Sequence, residues 1–247
     1  MDKLSFRIFK TRIMQKLFGR SLDVRKSWEE TPKDYSNMVD FLNWFDATKS
    51  VPETISKASS DWLYRFQNFP HFSHLPKRTA LEIGFGGGRL LSQAAKCFET
   101  VYGVDIHQNF AMSKKFLSSL GVSNVALFCR EEINRIPDES VDFVYSFIVF
   151  QHFDKIEEVD FYLNHIHRLL TPEGMAHIYF GKNKNEGIKT TPDAEFLLRD
   201  CSLFIHPRNM LERVSNRFQV LSFQDVLPRD PVANTGESVQ AMILFKK

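Results

Sequence analysis

From Thr79 onward the chain alternates two hydrophobic patterns, and that alternation restricts the fold more than any other feature. TALEIGF, TVYGVDI, NVALFC, SVDFVYSFIVF and MAHIYFG are short runs rich in β-branched and aromatic residues, and they read as strands. Between them GRLLSQAAKCF, NFAMSKKFLSSLG and KIEEVDFYLNHIHRLLT place apolar residues at helical spacing. Such a sequence predicts an α/β fold, a largely parallel sheet with helices on both faces. FQVLSFQDV and SVQAMILFKK add two strands near the end, expected as an antiparallel edge pair. In sheets of this kind ligands sit beyond the carboxyl ends of the strands, beside the first one.

The preceding residues have another character. Residues 28 to 75 hold all three tryptophans, Trp28, Trp44 and Trp62, with Tyr35, Phe41, Phe45, Tyr64, Phe66, Phe69 and Phe72. Pro32, Pro52 and Pro70 predict several short helices broken by turns. We expect residues 1–75 to form a basic N-terminal helix and an aromatic-rich helical cap, and residues 76–247 the α/β domain. The aromatic residues either form the small core of that cap or stack on a sugar, an aromatic ring or a methylated cation.

Charge is uneven. Residues 1 to 26 carry eight basic side chains against Asp2 and Asp23, so within a net charge of +2 the remainder is −4. An acidic body is a poor binder of nucleic acid, whose affinity rests on neutralised phosphates. The basic segment also contains Leu4, Phe6, Ile8, Phe9, Ile13, Met14, Leu17 and Phe18. It reads either as an amphipathic helix touching an anionic membrane through residues 1–20 or an acidic partner, or as a helix packed on the body or a frayed tail. It lacks the continuous apolar region of a secretory signal. No run reaches the roughly 18 apolar residues of a membrane span. Cys97, Cys129 and Cys201 are far apart and form no CxxC pair, which suits a reducing cytoplasm and argues against a structural zinc.

The first strand ends in ALEIGFGGGRLL. A dinucleotide fingerprint GxGxxG counted from Gly84 requires glycine at 89, where the chain has Arg89. Glu82 at the strand end would repel a pyrophosphate and favour a cation. Glycines 84, 86 and 88 let the backbone approach a ligand closely. Asp105 ends the second strand about 20 residues later, where an acid suits ribose hydroxyls and Ile106 would flank an adenine. Asp105 indicates an adenosine ribose; Glu82 and the missing glycine point to S-adenosylmethionine (SAM) rather than NAD.

With these residues the chain resembles the class I SAM-dependent methyltransferases. The resemblance runs over residues 78 to 181 and is carried by ALEIGFGGGR, VYGVDI, FCREEINRIPDESVDFVYSFIVFQHF and RLLTPEGMAHIYF. It implies a Rossmann-like, seven-stranded, mostly parallel sheet with one antiparallel C-terminal strand, and SAM over strands one, two and four. It implies cofactor contacts from Glu82, Gly84, Phe85, Gly86, Gly88, Arg89, Asp105 and Ile106. Glu132, with Glu131 as a competing register, falls where the family has an acid near the adenine amine, and Ile133 lies beside it. Phe85 stands where a small residue or cysteine is common, and TPEG replaces the usual KPGG.

SFIVFQHF places Ser146, Phe147, Gln151 and His152 at and beyond the end of the fourth strand, where the family's methyl group emerges, and the resemblance implies that the first three contact the cofactor. The D/NPPY motif of methyltransferases acting on nucleobase or amide nitrogens does not occur there. His152 is the candidate general base, since an ordinary histidine pKa suits removal of a proton near neutrality; the alternative is a wall of the pocket. His177 lies inside a strand and reads as structural. His165 and His167 face apart on one helix and make no metal pair. The expectation is an enzyme that transfers methyl from SAM to a small molecule, hydroxyl acceptors such as sugars or natural products being favoured, and leaves S-adenosylhomocysteine. The alternative is a SAM-binding module without turnover that recruits partners through residues 1 to 26. Residues 182 to 205 are expected to reach over the pocket.

Overall fold

The computed structural model describes residues 24–183, 187–189, 203–226 and 240–247. The basic segment before residue 24 and most of the 182–205 segment therefore lie outside the described residues.

Three helices come first: α1 (Val24–Glu30), α2 (Met38–Asp46) and α3 (Val51–Trp62). Local chemistry sets their ends. The Asn37 side chain caps α2 by accepting from the N–H groups of Val39 and Asp40 at 2.8 and 3.2 Å. Ser50 caps α3 in the same way through Glu53, with Pro52 in the first turn. Ala47 stops α2 in the left-handed region at φ 54°. A π-helical turn over Leu63–Gln67 and a 3-10 turn over Pro70–His74 complete this region.

The sheet then builds from β1 (Thr79–Ile83), β2 (Thr100–Asp105), β3 (Val125–Cys129), β4 (Val141–Ser146) and β5 (Leu170–Gly181). After the two-residue pair β6 (Ile188–Lys189) and β7 (Phe204–Ile205) come β8 (Gln219–Asp225) and β9 (Gln240–Lys246). The seven strands lie in the order β3-β2-β1-β4-β5-β9-β8. Only β9 opposes its neighbours, pairing antiparallel with both β5 and β8. This is the mostly parallel sheet read from the sequence, with the C-terminal pair at one edge.

The connecting helices are α4 (Leu91–Ala94), α5 (Phe110–Ser119), α6 (Ile156–Leu169) and α7 (Pro207–Ser215). Two elements are shorter than their patterns suggested. After Ala94 the backbone mixes i−4 bonds with i−3 bonds, such as Cys97 to Ala94, so α4 decays into turns. The run SFIVF continues apolar past β4, yet the strand ends at Ser146 because Ile148 turns into positive φ at 62°.

Alternating strand positions separate two cores. Leu81, Ile83 and Val144 pack with Leu163, Ile166 and Met210 on the face of α6 and α7. Ala80, Phe143, Tyr145 and Tyr179 pack on the other face with Trp62, Phe66, Phe72 and Leu91. A third cluster joins Phe41 and Leu42 of α2 to Met112 and Phe116 of α5. The N-terminal helices thus lie on the same sheet face as Glu82 and Tyr145, and they meet the glycine loop.

Candidate active site

The loop after β1 is held by its backbone. Gly84, Gly86 and Gly88 have φ of 75°, 51° and 90°, a region that costs an L side chain about 1–2 kcal/mol. The peptides on either side of Gly86 are tied to three groups. The Gly86 N–H donates to Asp105 Oδ2 at 2.8 Å, and the Gly86 carbonyl accepts from Ser113 Oγ at 3.0 Å and lies 2.9 Å from His107 Nε2. Asp105 Oδ1 accepts the N–H groups of Ile106 and His107 at 2.7 and 3.1 Å. Two carboxylate oxygens taking three bonds retain acceptor capacity for a hydroxyl.

Glu82 lies behind the loop with 3% of its surface exposed. Its carboxyl accepts from the Tyr145 hydroxyl at 3.1 Å. Burial pushes the carboxyl up to about 8, and the Tyr145 hydrogen bond and the Arg89 charge offset only part of that rise. A cation beside Glu82 would return it to the charged form. Strand register explains the partnership: Glu82 of β1, Tyr145 of β4 and His177 of β5 stand in one row across the sheet. His177 is held by burial at about 3 and is therefore neutral, among Phe66, Phe69 and Tyr179.

Arg89 follows the glycines and is 7% exposed. Its guanidinium pairs with Asp46 at the end of α2 and, at 2.8 Å, with Asp61 near the end of α3. Burial raises the Asp46 carboxyl, and its Oδ2 has no hydrogen-bond partner. The N-terminal helices are thereby pinned to the loop. The sequence placed Arg89 with the cofactor; the structure directs its charge at two acids that no motif marked. Phe85 also turns inward, against Gly103, where a Cβ would stand 2.7 Å from its ring.

The remaining expected residues divide into two groups. Ser146 is buried and donates to the Ile83 carbonyl at 2.9 Å, locking the ends of β1 and β4 together. The Arg65 and Arg89 guanidinium carbons lie 5.5 and 5.6 Å from the Phe147 ring centroid. Gln151 accepts from Gln240 at 2.8 Å, and the His152 ring lies 4.6 Å from Trp28. Across the sheet, at the end of β3, Ile133 is buried in the core. Glu132 accepts from the Cys129 N–H at 3.2 Å and bonds Arg135, and the Cys129 contacts hold its carboxyl below the ordinary value. Glu131 is exposed and lies near Arg25 and Arg130.

Sequence reasoning missed His107, Tyr145, Asp46 and Asp61. Only His107 left a signal, standing two residues after Asp105; the others reach the site through sheet register or helix packing.

A ligand bringing a cation and ribose hydroxyls, and no phosphate, suits this donor set. Glu82 supplies a buried carboxyl that a cation would hold in its charged form, Asp105 an acceptor, and the positive-φ glycines a cradle without side chains. The ring of Phe45 rests on Gly86 and Val149 on Gly84, at 2.7 and 2.3 Å from the Cβ either glycine would carry. The Val149 Cβ is itself 3.0 Å from the position at Gly84, so neither glycine accepts a side chain unless its neighbour moves. The residues present fit SAM.

Residues 81–178 match the family model described as a methyltransferase domain. No curated protein matches the chain. Among solved structures, a SAM-dependent methyltransferase from Methanosarcina mazei is 18% identical, with 72% of this chain and 97% of that one covered and a TM-score of 0.56. One from Mesorhizobium loti is 13% identical, covering 76% and 98% with a TM-score of 0.56. DhpI in complex with S-adenosylhomocysteine is 16% identical, covering 92% and 98% with a TM-score of 0.57. These similarities establish a shared fold. Over the matched residues the chain carries a methyltransferase domain, in a fold shared with SAM-dependent methyltransferases.

Proposed function

We propose that the chain methylates a hydroxyl of a small molecule, with Glu82, the glycine loop and Asp105 holding SAM and His152 acting as base. The observation that carries this reading is the position of His152, one turn beyond β4 and in ring contact with the half-buried Trp28. SAM supplies a methyl group already activated on sulfur, so the protein has chiefly to align the acceptor. A hydroxyl must lose its proton to act as the methyl acceptor, and the imidazole of His152 would take that proton. Glu82 holds the cationic end in place and Asp105 the ribose. The absence of D/NPPY supports a small acceptor over a nucleic acid. Among the described residues no helix is long and apolar enough to cross a membrane.

The test incubates the protein with SAM and matched hydroxyl and amine acceptors, reading release of S-adenosylhomocysteine. Hydroxyl acceptors should turn over, and His152→Ala should lower that turnover without weakening binding of S-adenosylhomocysteine. Equal losses in both would make His152 a pocket wall. Turnover of amines alone would replace O-methylation with N-methylation.

A further inference from the structure

Aromatic rings gather next to His152. Trp28 lies 5.5 Å from Trp44 and 6.1 Å from Phe45, and Trp44 lies 6.3 Å from Tyr35. All four are only partly buried, unlike Trp62, Phe66 and Phe72, which fill the core below them. The series is continuous: Phe45 rests on Gly86 at the loop, and Trp28 faces His152 at the end of β4. Within it Trp28 Nε1 is a buried donor with no hydrogen-bond partner. Such a donor is costly until an acceptor atom meets it.

The neighbouring charges are engaged with one another. Glu158 takes Arg25 at 3.3 Å and Arg130 at 2.8 Å, and Arg25 also approaches Glu131 at 3.9 Å. A sugar needs polar partners for several hydroxyls, and a cationic acceptor calls for a carboxylate beside the rings. A flat neutral ring needs stacking surface and one or two hydrogen bonds.

We propose that Trp28, Trp44 and Phe45 form the acceptor subsite, that it selects a planar phenolic acceptor, and that Trp28 Nε1–H donates to an oxygen of that acceptor. The assignment rests on the reading of His152 and the loop given above and narrows its substrate class. Trp28 is a specificity-determining residue, acting on the acceptor and not on the cofactor.

The experiment first measures binding of S-adenosylhomocysteine by calorimetry. The loaded protein is then titrated with catechol, 1-naphthol, methyl α-glucoside and choline while the three indole N–H resonances are followed. Trp28→Phe identifies the Trp28 signal by its loss; Trp44→Phe and Trp62→Phe identify it by elimination should that variant fold poorly. Binding of the phenols alone, with a shift of the Trp28 resonance and none of Trp62, supports the assignment. Trp28→Phe should weaken phenol binding about tenfold and leave binding of S-adenosylhomocysteine unchanged. No phenol binding to the loaded protein, preference for the glucoside or choline, or an unmoved Trp28 resonance would overturn it. Failure of S-adenosylhomocysteine itself to bind would overturn the cofactor reading as well, and the first titration separates the two failures.

Discussion

The Tyr145 hydroxyl donates to Glu82 Oε2 at 3.1 Å, joining β4 to β1 behind the glycine loop. A single neutral donor is little compensation for a carboxyl with 3% of its surface in water. The carboxyl therefore keeps its proton as far as about 8, against an ordinary value of 4.5. Between those values the folded chain binds more protons than the unfolded one, so stability falls as pH rises through the window. A ligand cation favours the deprotonated form, so cofactor affinity rises over the same range. Glu82→Gln should flatten both trends. Melting temperature and the Kd for S-adenosylhomocysteine at pH 6, 7 and 8 check this; slopes unchanged in the variant would refute it.

Arg89 neutralises two buried acids from separate helices. Arg89→Met should cost about 3–5 kcal/mol in urea unfolding, because it removes the charge that faces two buried carboxyls. Combining it with Asp46→Asn and Asp61→Asn should recover much of that loss. A triple variant as unstable as the single one would show that the arginine acts through its packing.

Asp105 performs a structural task, and the proposed function gives it a second. Its oxygens hold the N–H groups of Gly86, Ile106 and His107, and the proposed function gives their remaining acceptor capacity to the ribose. Asp105→Ala should weaken binding of S-adenosylhomocysteine by about 1–3 kcal/mol and also lower stability. Calorimetry with unchanged affinity would remove the ribose assignment and leave a purely structural residue.

Gly86 and Gly121 separate backbone strain from contact. Both have positive φ, but a Cβ at Gly86 would meet the Phe45 ring at 2.7 Å, while one at Gly121 would meet nothing within 4 Å. Gly121→Ala should cost about 1 kcal/mol in urea unfolding, and Gly86→Ala more. Equal costs would mean that Phe45 moves aside freely, which would make it a soft roof over the loop.

The sheet was legible because strand and helix periods are local. Buried parallel strands must be apolar and helices must show one apolar face, so Thr79 to Gly181 announces its order residue by residue. Glu82, the glycines and Asp105 were legible for a related reason: each ends a strand or bends the chain beside one. Two boundaries misled for the same cause. The apolar run after Ser146 still looks like strand, and only the turn at Ile148 ends it.

The partners of these residues could not be read in that way. Tyr145 meets Glu82 because β4 pairs with β1 in a register that, at a sequence separation of 63, is not encoded locally. Asp46 and Asp61 look like ordinary polar positions on short helices until α2 and α3 fold over Arg89. The gathering of Trp28, Trp44 and Phe45 beside His152 depends on the same docking. The sequence by itself determined the strand order's raw material, the loop and its acids, because periodicity and backbone freedom act over a few residues. Tertiary structure alone decided which charges face each other and which rings gather beside His152, because burial and pairing between distant segments exist only once the N-terminal helices rest on the sheet.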